Sequence, residues 1–315
     1  MINKNLAIQT INLSKKFGKL TALDDLNLEV EPNSIYGFLG PNGSGKTTAI
    51  RLMIGLSRPS RGNAYVNGLS CTARRMEARQ VIGYLPDVPM FFGFMTGLDY
   101  LVFCGKLFGL SFKEAQKRAW PLLDLAGVKD AANRKANGYS RGMKQRLGLA
   151  ASMMGNPKVL FLDEPVSAMD PIGRANVLDI IKNIKEKATV FISTHILSDV
   201  ERVSDKVGII DHGRLLVSEN IHELKHKFSQ NCITVNTLED NAPLAGIIKT
   251  HDWCSDVIVR TNDQHMPELV IYLKDQIAAR SALPKLICQQ GFTIINYITT
   301  QPSLEDIFIK LAGVK

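Results

Sequence analysis

The chain begins with a short period of alternation. Leu26, Leu28 and Val30 alternate with Asn27 and Glu29, as in a strand with one buried face, and residues 5–38 read as β-rich. Phe17 and Gly18 lie between two such runs, and Gly62 to Gly68 predicts a further strand bounded by turn residues. Three other runs are apolar without alternation: Ile35 to Leu39, Val159 to Leu162 and Thr189 to Ile192. Each leads into helical spacing, in Thr48 to Leu56 (Ile50, Met53 and Ile54 on one side), from about Pro171, and from about Ile196. Strands buried on both faces and alternating with helices predict an α/β fold on a mostly parallel sheet. Such sheets bind ligands at the carboxyl ends of their strands. Lys113 to Gly127 predicts a helix with Lys113, Glu114, Lys117 and Arg118 on its polar face. Ser140 is placed to N-cap another, running to about Met154, with Met143, Leu147, Ala150, Ala151 and Met154 as its apolar side.

After Asn220 the pattern predicts a linking helix of one to two turns and then a second unit. Strand-like runs at Cys232–Val235, Val257–Arg260 and Phe292–Ile298 alternate with helical ones at Pro267–Ala279 and Leu304–Leu311. Pro302 followed by Ser303, Leu304, Glu305 and Asp306 resembles a capping-box start for the last helix. The expected organisation is residues 1–225 as one domain and 226–315 as a small α+β domain carrying no nucleotide motif, repeat or low-complexity segment.

Length and charge narrow the picture. A chain of 315 residues has material for two cores. No run reaches the ~18 uninterrupted apolar residues that span a bilayer, because Asp87, Asp99 and Lys106 break the stretch from Val81 to Leu110. Met1 to Asn5 opens no apolar signal-peptide core. The net charge is +8, and it sits in the first domain: residues 1–225 hold 30 Lys and Arg against 21 Asp and Glu, whereas 226–315 hold 8 against 9. That basic surface suits a nucleotide, an anionic membrane face or nucleic acid, or is simply solvated. Cys71, Cys104, Cys232, Cys254 and Cys288 are scattered and odd in number, as free thiols in a reducing compartment would be.

The strand ends carry the candidate chemistry. Gly40, Pro41, Asn42, Gly43, Ser44, Gly45, Lys46, Thr47 and Thr48 satisfy G-x-x-x-x-G-K-[ST] between a predicted strand and a helix. Glycines let backbone N–H groups face phosphate oxygens, and the helix N-terminus adds positive potential. Lys46 would reach the β- and γ-phosphates and the Thr47 hydroxyl would hold Mg²⁺. Asp163 and Glu164 end the second apolar strand, where one carboxylate can serve the metal and its neighbour can orient or deprotonate water. His195 ends the third, able to bond a γ-phosphate. His212, His222, His226, His251 and His265 form no ligand-spaced cluster and read as surface residues. Ser140 and Gly142 at a helix start make a second possible anion site.

In this order the segments resemble the ATP-binding cassette (ABC) ATPases over residues 5–220. Phe17 matches the aromatic that stacks on adenine, Gly40–Thr48 Walker A, Ser140–Arg146 the signature motif, and Val159–Glu164 Walker B with Glu164 as catalytic residue. Ser167–Asp170 matches the D-loop and His195 the switch histidine. The tail, ending Pro302 to Phe308, looks like that of prokaryotic export-type cassettes whose permease is a separate chain. The resemblance implies a P-loop ATPase domain with β-rich and helical subdomains beside its sheet. It implies ATP and Mg²⁺ as cofactors and a head-to-tail homodimer or heterodimer, in which Ser140 and Gly142 close over the ATP held by the partner's P-loop, with Asp170 a further nucleotide-binding residue. It also implies an integral-membrane permease as partner, a peripheral position on the cytoplasmic face of the membrane, and no nucleic acid.

The sequence departs from the family twice. Tyr139, Arg141 and Met143 replace three of the five residues of Leu-Ser-Gly-Gly-Gln. Asp87 stands where the family places a glutamine near Mg²⁺ and the permease contact. The segment Pro89 to Met95 that follows, rich in Met and Phe, reads equally as core or as a docking surface. Two other readings stand beside the exporter: a soluble ABC-type ATPase acting on ribosomes or DNA, and a metabolic P-loop kinase, which leaves Ser140–Arg146 and His195 without a role. The cargo is not written in the chain, and residues 226–315 fit either dimer support or regulation.

Overall fold

The alternating residues form two antiparallel neighbours, β1 (Ile8–Phe17) and β2 (Leu20–Val30), joined at Gly18, whose φ is +56°. Leu26, Leu28 and Val30 are buried while Asn27 and Glu29 face solvent. We describe residues 3–167, 169–229, 232–261 and 266–299, with Leu304 and Ile307, in a computed structural model of the chain. The contacts divide it into two compact units, Met1–Ile221 and His222–Lys315.

In the first unit, β3 (Ile35–Leu39) and α1 (Lys46–Met53) follow the hairpin. Next come β4 (Arg61–Val66) and β5 (Leu69–Ser70), which complete a four-stranded sheet of order β2-β1-β4-β5. A helical region follows: α2 (Arg75–Gln80), β6 (Ile82–Leu85), α3 (Gly97–Leu107), α4 (Phe112–Leu125) and α5 (Arg141–Ser152). Capping boxes begin two of these helices, Thr96 with Asp99 and Ser111 with Glu114. The chain then alternates through β7 (Val159–Asp163), α6 (Pro171–Ile184), β8 (Thr189–Thr194), α7 (Leu197–Val203), β9 (Lys206–Asp211) and β10 (Arg214–Asn220). The six-stranded sheet has the order β10-β9-β3-β8-β7-β6, parallel except at β10. Its central strands are buried on both faces, which is why they read as unbroken apolar runs. At its centre Phe191 stacks on Tyr36 and packs at a tilt against Phe38 and Phe161, with ring centroids 5.3–5.5 Å from its own. This core fixes the strands whose carboxyl ends carry Gly40, Glu164 and His195.

After α8 (Ile221–Ser229), the second unit runs β11 (Cys232–Thr237), α9 (Ala242–Lys249), β12 (Cys254–Thr261), β13 (Pro267–Leu273), α10 (Gln276–Gln289) and β14 (Ile294–Thr299). The antiparallel order β12-β13-β11-β14 makes this a split βαββαβ unit. Its core joins Ile233, Val235, Leu244, Ile248, Leu269, Ile271, Leu283 and Ile287.

One expected element is different. Pro267–Ala279 is not a helix: Pro267–Leu273 is strand β13, and the helix starts only at Gln276. β13 lies between β11 and β12 with Leu269 to Leu273 all buried, so its apolar residues show no strand period. The helix start is marked by Asp275, whose carboxylate accepts from the backbone N–H groups of Ile277 and Ala278 at 2.9 and 3.0 Å. The helix expected at Leu304–Leu311 and its cap at Ser303 lie outside the described residues, except that Leu304 and Ile307 are helical and buried. The side chains of His226 and His265 also lie outside them. His212 and His222 are exposed, whereas His251 is half-buried and stacks on Trp253.

Candidate nucleotide site

The turn from β3 into α1 is built on glycines for a steric reason. Gly45 has φ +106°, and a Cβ there would lie 2.6 Å from the Ala22 carbonyl oxygen. At Gly40 a Cβ would meet the Ile210 carbonyl at 2.3 Å. The loop is therefore pressed between β2 and the end of β9, and only glycine fits at both points. It opens on a cleft of about 370 Å³ lined by Phe17, Leu20, Ala22, Asn42, Gly43, Gly45, Lys46, Thr47, Thr48, Asp87 and Glu164. Phe17 stands 53% exposed at its edge, with the Lys15 ammonium 5.0 Å from the ring centroid.

Lys46 is buried. Its ammonium donates to the carbonyls of Gly40 at 2.7 Å and Pro41 at 3.1 Å, and lies 3.7 Å from Glu164 Oε1. Burial pushes its pKa below the ordinary lysine range, against the opposing pull of Glu164 and Asp163. Negative charge brought into the cleft would oppose that shift.

Glu164 leaves the end of β7 with φ +49°, an uncommon conformation for a non-glycine residue. Its N–H donates to the Ser193 carbonyl at 3.0 Å, and Gln145 Nε2 donates to its carbonyl at 3.5 Å. Its carboxylate accepts from Thr194 Oγ1 at 3.3 Å and lies 3.0 Å from His195 Nδ1. Such strain held by several partners is characteristic of functional sites. Asp163, buried one residue earlier, accepts a hydrogen bond from Ser193 Oγ, its register partner across β7 and β8. Tyr84 on β6 is pushed up to about 12 by burial, with Asp163 adding to the rise.

The donor set suits phosphate. Phosphate oxygens only accept, and the cleft offers the Lys46 ammonium, the Thr47 and Thr48 hydroxyls and the N-terminus of α1. The buried Ser44 hydroxyl has no hydrogen-bond partner among the described residues, a further donor at the same loop. No group of three or more His, Cys, Asp or Glu side chains among the described residues is arranged to hold a metal ion. A cation here would rely on hydroxyl, isolated carboxylate and phosphate oxygens, which suits Mg²⁺.

The remaining predicted residues lie elsewhere. Ser140 caps α5, accepting from the Met143 N–H at 3.2 Å, and is exposed; Gly142 follows it. Asp170 sits at the N-terminus of α6 before Pro171. None of the three lines the cleft of its own chain. Asp87 does, and its Oδ1 accepts from Ser167 Oγ at 3.3 Å. Tyr139, where the family pattern has leucine, is buried and donates its hydroxyl to the Ala131 carbonyl at 2.6 Å. Ser193, Thr194 and Gln145 were not singled out in the sequence. The first two could have been found by aligning the ends of two neighbouring parallel strands, which puts Ser193 beside Asp163.

A phosphate-binding loop, a paired Asp-Glu and a histidine on adjacent parallel strand ends define a P-loop nucleotide hydrolase. Residues 23–167 match the family described as ABC transporter, and residues 220–312 match the one described as ATP-binding protein DrrA1-3-like, C-terminal domain. An uncharacterised ABC transporter ATP-binding protein, YxlF of Bacillus subtilis, is 36% identical over 300 residues, 95% of this chain and 97% of that one. The bacitracin transport ATP-binding protein BcrA of Bacillus licheniformis is 32% identical, with 97% of each chain covered. A solved ATP-binding subunit of an ABC transporter superposes with a TM-score of 0.65 at 27% identity, over 70% of this chain and 93% of that one. The chain belongs to the ATP-binding subunits of ABC transporters, and it is an ATPase.

Proposed function

We propose that this chain powers an exporter whose membrane-spanning permease is a separate protein. The observation that carries the reading is Glu164, whose carboxylate, on a backbone at φ +49°, is held by Thr194 and His195 in the cleft of the glycine loop, 3.7 Å from Lys46. Lys46 binds the β- and γ-phosphate oxygens of ATP, while Phe17 takes the adenine on its exposed face. Glu164 accepts the proton of a water that attacks the γ-phosphorus, as the bond to the ADP oxygen breaks. His195 orients Glu164 and meets the γ-phosphate. Thr47 and Asp163, with Asp87 beside them, would hold Mg²⁺, which when bound neutralises charge on the phosphate oxygens.

Ser140, Gly142 and Asp170 serve the nucleotide of a second ATPase subunit, either another copy or a related chain. Their position outside the cleft of this chain supports that arrangement. ATP closes the pair and hydrolysis opens it, and the permease is driven between two states. The segment after β6 is the docking surface for the permease. Met90 and Phe94 are 85% and 70% exposed, and a groove of about 330 Å³ beside them is lined by Tyr84, Met90, Phe91, Tyr100 and Phe108 among others. The assembly sits on the cytoplasmic face of the membrane. No helix among the described residues is long and apolar enough to cross it. Transport in the name of BcrA supports this reading over action on ribosomes or DNA.

The test is capture of the Glu164→Gln variant with ATP from detergent-solubilised native membranes. A co-purifying chain with several apolar spans is expected. Ribosomal proteins or nucleic acid in its place would overturn the exporter reading.

A further inference from the structure

Two helices leave the site from its two loops. α6 starts directly after Asp170, and α7 starts two residues after His195. Their first turns are joined. Arg174, whose N–H closes the first turn of α6 on the Asp170 carbonyl, donates Nε to Asp199 Oδ1 at 2.7 Å and places Nη2 3.4 Å from Ser198 Oγ. The Asp199 side chain is only 5% exposed and its Oδ2 has no hydrogen-bond partner among the described residues, so Arg174 is the principal counter-charge of a buried carboxylate. Burial holds the Asp199 carboxyl above its ordinary range even with that partner, and His195 and Arg202 add smaller opposing pulls. Arg202 itself is turned outward to Asp179, at 2.9 and 3.0 Å.

The other side of α7 is equally constrained. Val200 is packed so closely on β3 that a Cβ at Gly37 would lie 2.3 Å from Val200 Cγ1. α7 is thus pressed on one side against the strand that feeds the phosphate loop and tied on the other to α6.

We propose that Arg174 is a positioning residue for His195: its pair with Asp199 locks the first turns of α6 and α7, so the His195 ring and the Asp170 segment move as one piece. A buried pair of this kind contributes little net stability, but removing one partner strands the other charge. Here the stranded charge would be Asp199, in the first turn of the helix that follows His195. The inference rests on the reading of His195 as part of the hydrolytic site, and the test separates the two.

Steady-state hydrolysis is measured for the full chain, for Arg174→Ala, for His195→Ala and for the double variant, with ATP affinity and melting temperature for each. His195→Ala is expected to lower kcat about a hundredfold. Arg174→Ala is expected to lower kcat about tenfold or more, with ATP affinity within about twofold, since a small misplacement costs rate rather than binding. The double variant falls no lower than His195→Ala alone, because Arg174 acts through that ring. Multiplying losses would overturn the proposal and leave His195 in its role. An unaffected His195→Ala would remove both. Should Arg174→Ala not fold, Asp199→Ala removes the acceptor of the same contact together with the buried charge; it carries the same expectation of no further loss on the His195→Ala background, and multiplying losses there overturn the proposal equally.

Discussion

Replacing Glu164 by glutamine keeps the shape of the side chain and removes its charge and its basicity. The amide oxygen can still accept from Thr194 or His195, so the strained backbone at this residue retains its side-chain support. Two energies change. The attraction between Lys46 and Glu164 at 3.7 Å is lost; its gross size at an effective dielectric near 20 is about 4 kcal/mol. Burial of the ammonium opposes it, and holds the Lys46 pKa below the ordinary lysine range. The γ-phosphate supplies the missing counter-charge, so ATP affinity is held or rises. The second loss is general base catalysis, worth about 10²–10⁴ in rate, or about 3–5 kcal/mol of barrier. The assay is single-turnover hydrolysis of γ-labelled ATP alongside equilibrium binding of a fluorescent ATP analogue, with gel filtration to detect an ATP-dependent dimer. A turnover rate within fivefold of the unmodified chain would refute the assignment of Glu164 as base, whatever happened to binding.

Three further outcomes are expected. Lys46→Ala should abolish ATP binding in the same fluorescence titration, because it removes the buried ammonium that faces Glu164 and braces the loop through Gly40 and Pro41; retained binding would show that the loop alone suffices. Asp87→Gln should leave ATP affinity within a few-fold, since the Asp87 carboxylate is exposed and, among the described residues, accepts from a side-chain hydroxyl at 3.3 Å, and loss of binding would make it structural. Alkylation at pH 8 followed by mass spectrometry should label exposed Cys288 first. Burial pushes the Cys71 and Cys104 thiols up to about 12 and 11, so their reactive thiolates lie above the working pH and become available only as pH rises toward those values.

The strands that carry the site were legible because they are buried on both faces. Ile35–Leu39, Val159–Leu162 and Thr189–Ile192 are unbroken apolar runs, and each ends in residues that would be out of place in a core. The same property concealed β13: Leu269–Leu273 is also buried on both faces, but no chemistry marks its end and only Asp275 signals the helix beyond. Contacts between side chains distant in sequence left weaker traces. Ser193 and Thr194 belong to the site through the register of β8 on β7. Arg174 and Asp199 meet because two helices pack, 25 residues apart in sequence. The segment Pro89–Met95 could be read as core or as surface, and the structure resolves it by residue: Phe91 packs edge-on against Tyr100 while Met90 and Phe94 face solvent.

The position of β3 has a consequence for the chain as it is made. The strand that ends at the phosphate loop pairs with β8 and β9 and with no element nearer in sequence. Leu39 must therefore wait about 155 residues for its register partner Thr194 to be polymerised, roughly 8 to 30 s at common elongation speeds. During that interval Ile35–Leu39 is a ready-made binding segment for a chaperone, and slow codons between residues 40 and 190 would prolong its exposure without altering one atom of the finished protein.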